Sequence, residues 1–293
     1  MANIIRNYLY GKPGQKDFTE ADLPTTRIAL FRQVLNVRKG RMMGLNLLYL
    51  LIWVPAIFWT FLNITSFMVV NVPTSDELRQ AGLNWLMLLF PMIAITGPFN
   101  AGISQVTRRW ARDEHSFPYA DFWAAVKENW KQALLFSTLD GLVPLLFYIC
   151  MCYYTDLTRQ SNIFLLPLGI SVLGALLWFL AAPIVPVLIV SYRQGFWGIL
   201  RNAFLMTLAQ LPRALAIRLI TLAIPILTVL GVTLFPNSFL WITGIAAILY
   251  MVFLLAFNRL IWASFANFLG EKYLNPKIEG ARTDIGLRPK DKR

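Results

Sequence analysis

The sequence predicts an all-α, polytopic membrane protein with six transmembrane helices and both termini in the cytoplasm. Three observations support this class: 57% of the 293 residues are hydrophobic, only 14% are charged, and the basic residues cluster on alternate connections. A soluble domain carries about 25% charged residues, so a single water-soluble core does not fit this composition. The net charge of +12 fits contact with anionic head groups, because most basic residues flank apolar segments.

Six apolar segments are long enough to cross a bilayer core, which requires about 20 helical residues. They extend approximately over residues 43–70, 83–106, 132–154, 163–191, 214–235 and 239–262. Polar runs or prolines separate them, as in the connections at 72–76, 155–162 and 235–238. We therefore predict three regions: a cytoplasmic tail with an amphipathic helix (1–42), a six-span membrane domain (43–269) and a basic cytoplasmic tail (270–293).

The distribution of lysine and arginine predicts the orientation, because these residues are enriched in cytoplasmic segments. The N-terminal tail, the second and fourth connections, and the C-terminal part counted from Arg259 carry 24 of them. The first, third and fifth connections carry only Arg79 and Arg159. Such an alternation requires an even number of spans.

Two segments on the predicted cytoplasmic side, 26–36 and 117–131, have amphipathic helical spacing. Both patterns are typical of helices that lie in the head-group layer. Indole rings also anchor at that depth. We expect lipid or partner contacts on this side at Arg108, Arg109, Trp110, Trp123 and Trp130.

Two charged residues lie inside predicted spans, where each charge costs roughly 2.5–3.5 kcal/mol. Asp140 and Arg218 lie on spans that run in the same direction, and their depths differ by about 6 Å at 1.5 Å per residue. We predict an ion pair between them. In the alternative, Arg218 extends to the head groups. Asp140 is too short for that and is expected to face a protein interior or a wet cavity.

The second span contains a candidate helix break, whose residues are Thr96, Gly97, Pro98, Asn100 and Gly102. Proline removes a helix hydrogen bond, and glycine tolerates the freed backbone. Broken helices inside a membrane bind substrates or ions in transporters. The alternative is a kinked helix that packs closely against its neighbours through its glycines.

Motifs for catalysis, cofactors and metals are missing from the sequence. It has no G-x-S-x-G, H-E-x-x-H or phosphate-binding G-x-x-x-x-G-K-[ST] pattern. His115 is the only histidine, and Cys150 and Cys152 point in nearly opposite directions on a helix. We therefore expect no enzymatic activity, no cofactor, no metal site and no nucleic-acid partner.

Four stretches resemble the YesL family of bacterial integral membrane proteins, which is defined by a domain of unknown function. They are residues 10–14, residues 45–50 with Pro55, residues 97–102 leading to 107–110, and residues 121–133. The resemblance covers approximately residues 10–150 and supplies no catalytic residues. It implies a bacterial plasma membrane and an accessory or regulatory role in carbohydrate uptake, with the permease subunits of an ATP-binding-cassette importer as partners.

Three functions remain open at this point. The first is the accessory role, and the second is a small stand-alone transporter whose path is lined by the broken second span and Asp140. The third is a structural or regulatory protein without a ligand. A filled, dry centre around Thr96, Asn100 and Asp140 would exclude the transporter. The chain is not expected to be a permease itself, because 117–131 lacks the glycine of the ATPase-docking loop.

Overall fold

The structure, a computed structural model, describes residues 23–69, 74–281 and 283–288, without the side chains of 67–69. Its described part contains helices and no strands. The α-helices are α1 Arg27–Val69, α2 Ser75–Ile95, α3 Gly97–Ala111, α4 Pro118–Thr158, α5 Leu165–Ala181, α6 Val185–Ser191, α7 Phe196–Ala209, α8 Leu211–Leu234, α9 Phe239–Leu249 and α10 Leu255–Tyr273. A π-helical turn, Tyr250–Leu254, joins α9 to α10. The stretch at 10–14 and part of the first connection lie outside the described residues.

Six helical stretches are long and apolar enough to cross a membrane. They are Arg27–Ser66, Ser75–Ile95, Pro118–Thr158, Asn162–Ser191, Leu211–Leu234 and Pro236–Lys277. The predicted all-α class with six apolar spans is therefore confirmed.

The prediction of separate interfacial helices at 26–36 and 117–131 is wrong. Both segments are the first turns of helices that continue into spans: α1 has 43 residues and α4 has 41. No proline lies between either segment and its span, so the backbone hydrogen bonding continues. A 41-residue helix is about 60 Å long, twice the roughly 30 Å of a bilayer core. The amphipathic part of α4 therefore extends beyond the apolar layer as a projection of the span.

Helix α3 is the central element of the core, and most of its residues are buried. It packs against α4, α10 and α1. Trp110 of α3 is fully buried, and its indole Nε1 donates to Ser116 Oγ at 2.7 Å. The prediction that Trp110 contacts lipid or a partner is therefore wrong. The reason is that the polar end of α3 is enclosed by neighbouring helices.

The two described ends of the chain meet at one end of the helix bundle. Arg27 forms an ion pair with Glu271, and the Arg288 N–H donates to the Pro24 carbonyl at 3.0 Å. Arg38, further along α1, pairs with Asp113 at 3.0 Å. We call this the basic end; it contains the start of α1, the end of α3, the start of α4 and the end of α10.

Candidate functional site: a polar cavity between the spans

The candidate helix break in the second span is a local interruption between α2 and α3. Thr96 keeps helical dihedral angles (φ −69°, ψ −14°), and the Asn100 N–H donates to its carbonyl at 2.9 Å. A side chain at Gly97 would overlap the Ala133 carbonyl, and one at Gly102 would lie 2.9 Å from Phe122. The backbone therefore matches the alternative of a kinked, closely packed helix. Pro98 lies in the first turn of α3, where its missing N–H costs little.

The side chain of Asn100 lies at the centre of a buried hydrogen-bond network. Its Oδ1 accepts from the Tyr49 hydroxyl and from Arg259 Nη2 at 3.1 Å, and Arg259 also donates to Tyr49 Oη at 2.8 Å. Its Nδ2 donates to Thr96 Oγ1 at 3.2 Å and to Ser137 Oγ at 3.4 Å. We call these residues the Asn100 network. It connects α1, α3, α4 and α10, and it fixes the position of one cationic side chain.

Asn46 of α1 holds the π-helical turn in place. Its Nδ2 donates to the carbonyls of Tyr250 and Met251 at 2.9 and 2.7 Å, and its Oδ1 accepts from the Ala256 N–H at 2.9 Å. The side chain is fully buried. A π turn leaves backbone groups without their usual helical partners, and lipid cannot supply them. Asn46 therefore supplies hydrogen-bond partners to the π turn and to the first turn of α10.

A cavity of about 720 Å³ lies next to the Asn100 network. Its walls include aromatic side chains of α4 and α5, such as Phe136 and Trp178. Its polar lining comes from α3, α4, α8, α10 and the π turn, and consists of Asn100, Asp140, Arg218, Thr221, Tyr250, Asn258 and Arg259. An open space therefore lies beside Asn100 and Asp140, whereas Thr96 does not line it.

The structure brings Asp140 and Arg218 to this cavity but forms no ion pair between them. Asp140 Oδ1 instead accepts from Trp178 Nε1 at 2.9 Å. The Arg218 guanidinium lies over the Phe179 ring, 3.7 Å from its centroid, and 5.1 Å from the Trp262 centroid. The predicted direct pair is therefore wrong, because aromatic side chains occupy the positions next to both charges.

The cavity lining carries an excess of positive charge. Arg218 and Arg259 contribute two guanidinium groups, and Asp140 contributes the single carboxylate of the lining. Arg218 has no hydrogen-bond acceptor among the described residues, and its buried Nε is unpaired. Arg259 is not among the site residues predicted from the sequence, because it stands next to the basic C-terminal residues. Its position within the apolar segment 239–262 is the signal that could have identified it.

The predicted contact residues on the basic end fall into two groups. Arg108 and Arg109 line a polar groove of about 920 Å³, and Arg109 pairs with Asp121 at 2.9 Å. Trp123 and Trp130 are exposed by 45% and 47%, as lipid or partner contacts require. Within the residues that the structure describes, no three His, Cys, Asp or Glu side chains form a group that could hold a metal ion.

Residues 42–151 are similar to a family described as a protein of unknown function, DUF624. No curated protein and no solved structure matches the chain. The matched region runs from the end of the basic segment of α1 through most of α4. It includes Asn46, Tyr49, Asn100 and Asp140, and it excludes both cavity arginines. The similarity therefore covers one side of the cavity.

Proposed function

We propose that the protein binds a small organic anion in the cavity between its spans and carries it across the membrane. The observation that carries this proposal is the cavity of about 720 Å³ lined by two arginines and one aspartate. Ligand pockets for small molecules typically measure roughly 300–1,000 Å³. The resemblance to the YesL family supports a location in a bacterial plasma membrane. The distribution of lysine and arginine supports an orientation with the basic end and both termini in the cytoplasm.

Arg218 supplies an energetic reason for the cavity to bind an anion. A charge inside a bilayer costs roughly 2.5–3.5 kcal/mol unless a partner compensates it. The Phe179 and Trp262 rings lie near this guanidinium, but among the described residues its N–H groups have no hydrogen-bond acceptor. A carboxylate or phosphate would accept from those N–H groups in a bidentate manner. Asp140, which lines the same cavity, would then accept from a hydroxyl group elsewhere on the ligand.

Cysteine labelling in reconstituted vesicles tests whether the cavity is open to water and selects anions. In a Cys150→Ala/Cys152→Ala background, Ala175→Cys places a thiol in the cavity wall. Leu166→Cys is the lipid-facing control. Leu166 lies on the same helix, and its side chain is 70% exposed on the apolar outer surface of that helix. Ser161→Cys, in the exposed connection before α5, is the water-exposed reference.

The reagents are an anionic and a cationic methanethiosulfonate of similar size. We expect Ala175→Cys to react from the water phase, with a higher anionic-to-cationic rate ratio than Ser161→Cys, because the lining is net positive. Leu166→Cys should remain unlabelled. No reaction at Ala175→Cys from either side would mean a sealed cavity and would refute transport. A ratio equal to that of Ser161→Cys would refute anion selection.

A second candidate function is the accessory role in carbohydrate uptake by an ATP-binding-cassette importer. The observation that favours it is the exposed aromatic surface at the start of α4, where Phe117, Tyr119 and Trp123 are 66%, 58% and 45% exposed. Protein interfaces are enriched in such residues.

Photo-crosslinking in intact cells tests this role. A photoreactive residue at Trp123 should crosslink to an importer permease, and one at Trp241, which is 78% exposed on α9, should not. Crosslinking to lipid alone, or equal permease crosslinking at both sites, would contradict the accessory role.

A further inference from the structure

The groove at the basic end has more positive charge than its own carboxylates neutralise. Its walls come from the end of α3, the first turns of α4 and the segment 189–194. The charged lining consists of Arg108, Arg109, Lys131 and Arg193 with Asp121 and Glu128. Only Arg109 forms an ion pair with a groove carboxylate. Among the described residues, the other three basic side chains have no ion-pair partner.

Two buried polar atoms in the groove indicate which groups a ligand would need there. Arg108 Nε is buried without a hydrogen-bond partner, and so is Gln105 Oε1. Burial, followed by the nearby Arg112 charge, lowers the pKa of Arg108 from its ordinary value. An anion beside Arg108 would stabilise its charged form, because opposite charges favour ionisation. Gln105 Oε1 can only accept, so it requires a donor such as a hydroxyl group.

Exposed indoles place the groove at the level of lipid head groups. Trp130 lines the groove and is 47% exposed, and Trp197, just after the 189–194 segment, is 72% exposed. Tryptophan is enriched at the membrane–water interface. Below Trp130 on α4, Leu135 is also 45% exposed and offers an apolar surface for an acyl chain.

We propose that this groove binds the head group of an anionic phospholipid, with its phosphodiester on Arg108, Lys131 and Arg193. A head-group hydroxyl, such as that of phosphatidylglycerol, would donate to Gln105 Oε1. Basic pockets beside transmembrane helices are suited to such head groups. This site is separate from the cavity between the spans, and it does not depend on transport.

Thermal unfolding of the full chain in neutral detergent, followed by tryptophan fluorescence, tests the proposal. Palmitoyl-oleoyl phosphatidylglycerol should raise the midpoint, because a ligand that binds only the folded state stabilises it. The zwitterionic phosphatidylcholine with the same acyl chains should not. Glycerol phosphate alone, at equal concentration, should give a much smaller shift than the complete lipid. An equal shift would mean a site for soluble phosphate and would overturn the lipid assignment.

Matched double variants assign the effect to the groove. Arg108→Gln/Arg193→Gln removes two groove charges and should lose at least half of the phosphatidylglycerol shift. Lys127→Gln/Arg201→Gln removes two exposed charges that do not line the groove, and it should keep the full shift. Arg193→Gln alone, at an exposed position, should lose part of the shift if the buried Arg108 variant fails to fold. Equal midpoints with both lipids in the wild type, or a full shift in the groove variants, would refute the site.

Discussion

Replacement of Asn46 tests the link between the first span and the last one. Its side chain makes three hydrogen bonds, of 2.9, 2.7 and 2.9 Å, to backbone groups of residues 250–256. Asn46→Leu keeps nearly the same volume but removes all three bonds. Two carbonyls and one N–H would then lose their partners inside the membrane domain. We expect the variant to destabilise the fold and to loosen the position of Arg259.

The expected magnitude follows from hydrogen-bond energies measured in membranes. Interhelical hydrogen bonds in a membrane protein average about 0.6 kcal/mol each. Three bonds therefore give a loss of about 2 kcal/mol. Asn46→Asp keeps the accepted hydrogen bond and loses the two donated ones. From hydrogen bonds alone, its loss of free energy of unfolding should therefore be smaller than that of Asn46→Leu. Burying a carboxylate adds a further cost.

The assay is reversible unfolding in mixed detergent micelles, with Asn63→Leu as the control. Asn63 lies on the same helix, and its Nδ2 bonds only within that helix, to the Trp59 carbonyl at 2.8 Å. The control should therefore lose much less free energy of unfolding than Asn46→Leu. Equal losses in the two variants would refute a role for Asn46 in holding the π turn.

Three further predictions concern packing and charge. Gly97→Ala should lower the free energy of unfolding by about 1–3 kcal/mol, because the added methyl would overlap the backbone of a neighbouring helix. Gly169→Ala, where the added methyl meets open space, should be tolerated in the same micelle titration. Arg259→Met should cost about 1–3 kcal/mol and more than Arg218→Met, since only Arg259 has hydrogen-bond acceptors; equal costs would contradict this. Arg79→Gln breaks the exposed ion pair with Asp156 and should lower the free energy of unfolding less than Gly97→Ala does, because water and salt screen exposed pairs. A loss that does not shrink with added salt would be inconsistent with this.

The spans could be predicted from the sequence because a bilayer demands long apolar helices. The ends of those helices could not. The amphipathic pattern at 117–131 fits two structures equally well: a helix that lies in the head-group layer, and the first turns of a span that project beyond the bilayer. Which of the two forms depends on whether the backbone continues unbroken through Lys131, and the structure shows that it does.

Site residues were predictable where a charge stood out inside an apolar run, as for Asp140 and Arg218. The partners of those charges were not. Trp178 holds the Asp140 carboxylate, and nothing in the sequence distinguishes this indole from the other tryptophans. The π turn was also beyond sequence reasoning, because the residue that supports it lies about 200 positions earlier in the chain.

The hydrogen bonds between Asn46 of α1 and the π turn affect the order in which the helices can assemble during synthesis. Spans enter the membrane in order, and synthesis adds roughly 5–20 residues per second. The carbonyls that Asn46 binds lie 204 and 205 residues downstream. The buried amide of α1 therefore waits roughly 10–40 s for its partners while the intervening spans are made. Any chain that stops before the π turn leaves this amide without its two carbonyl partners inside the bilayer.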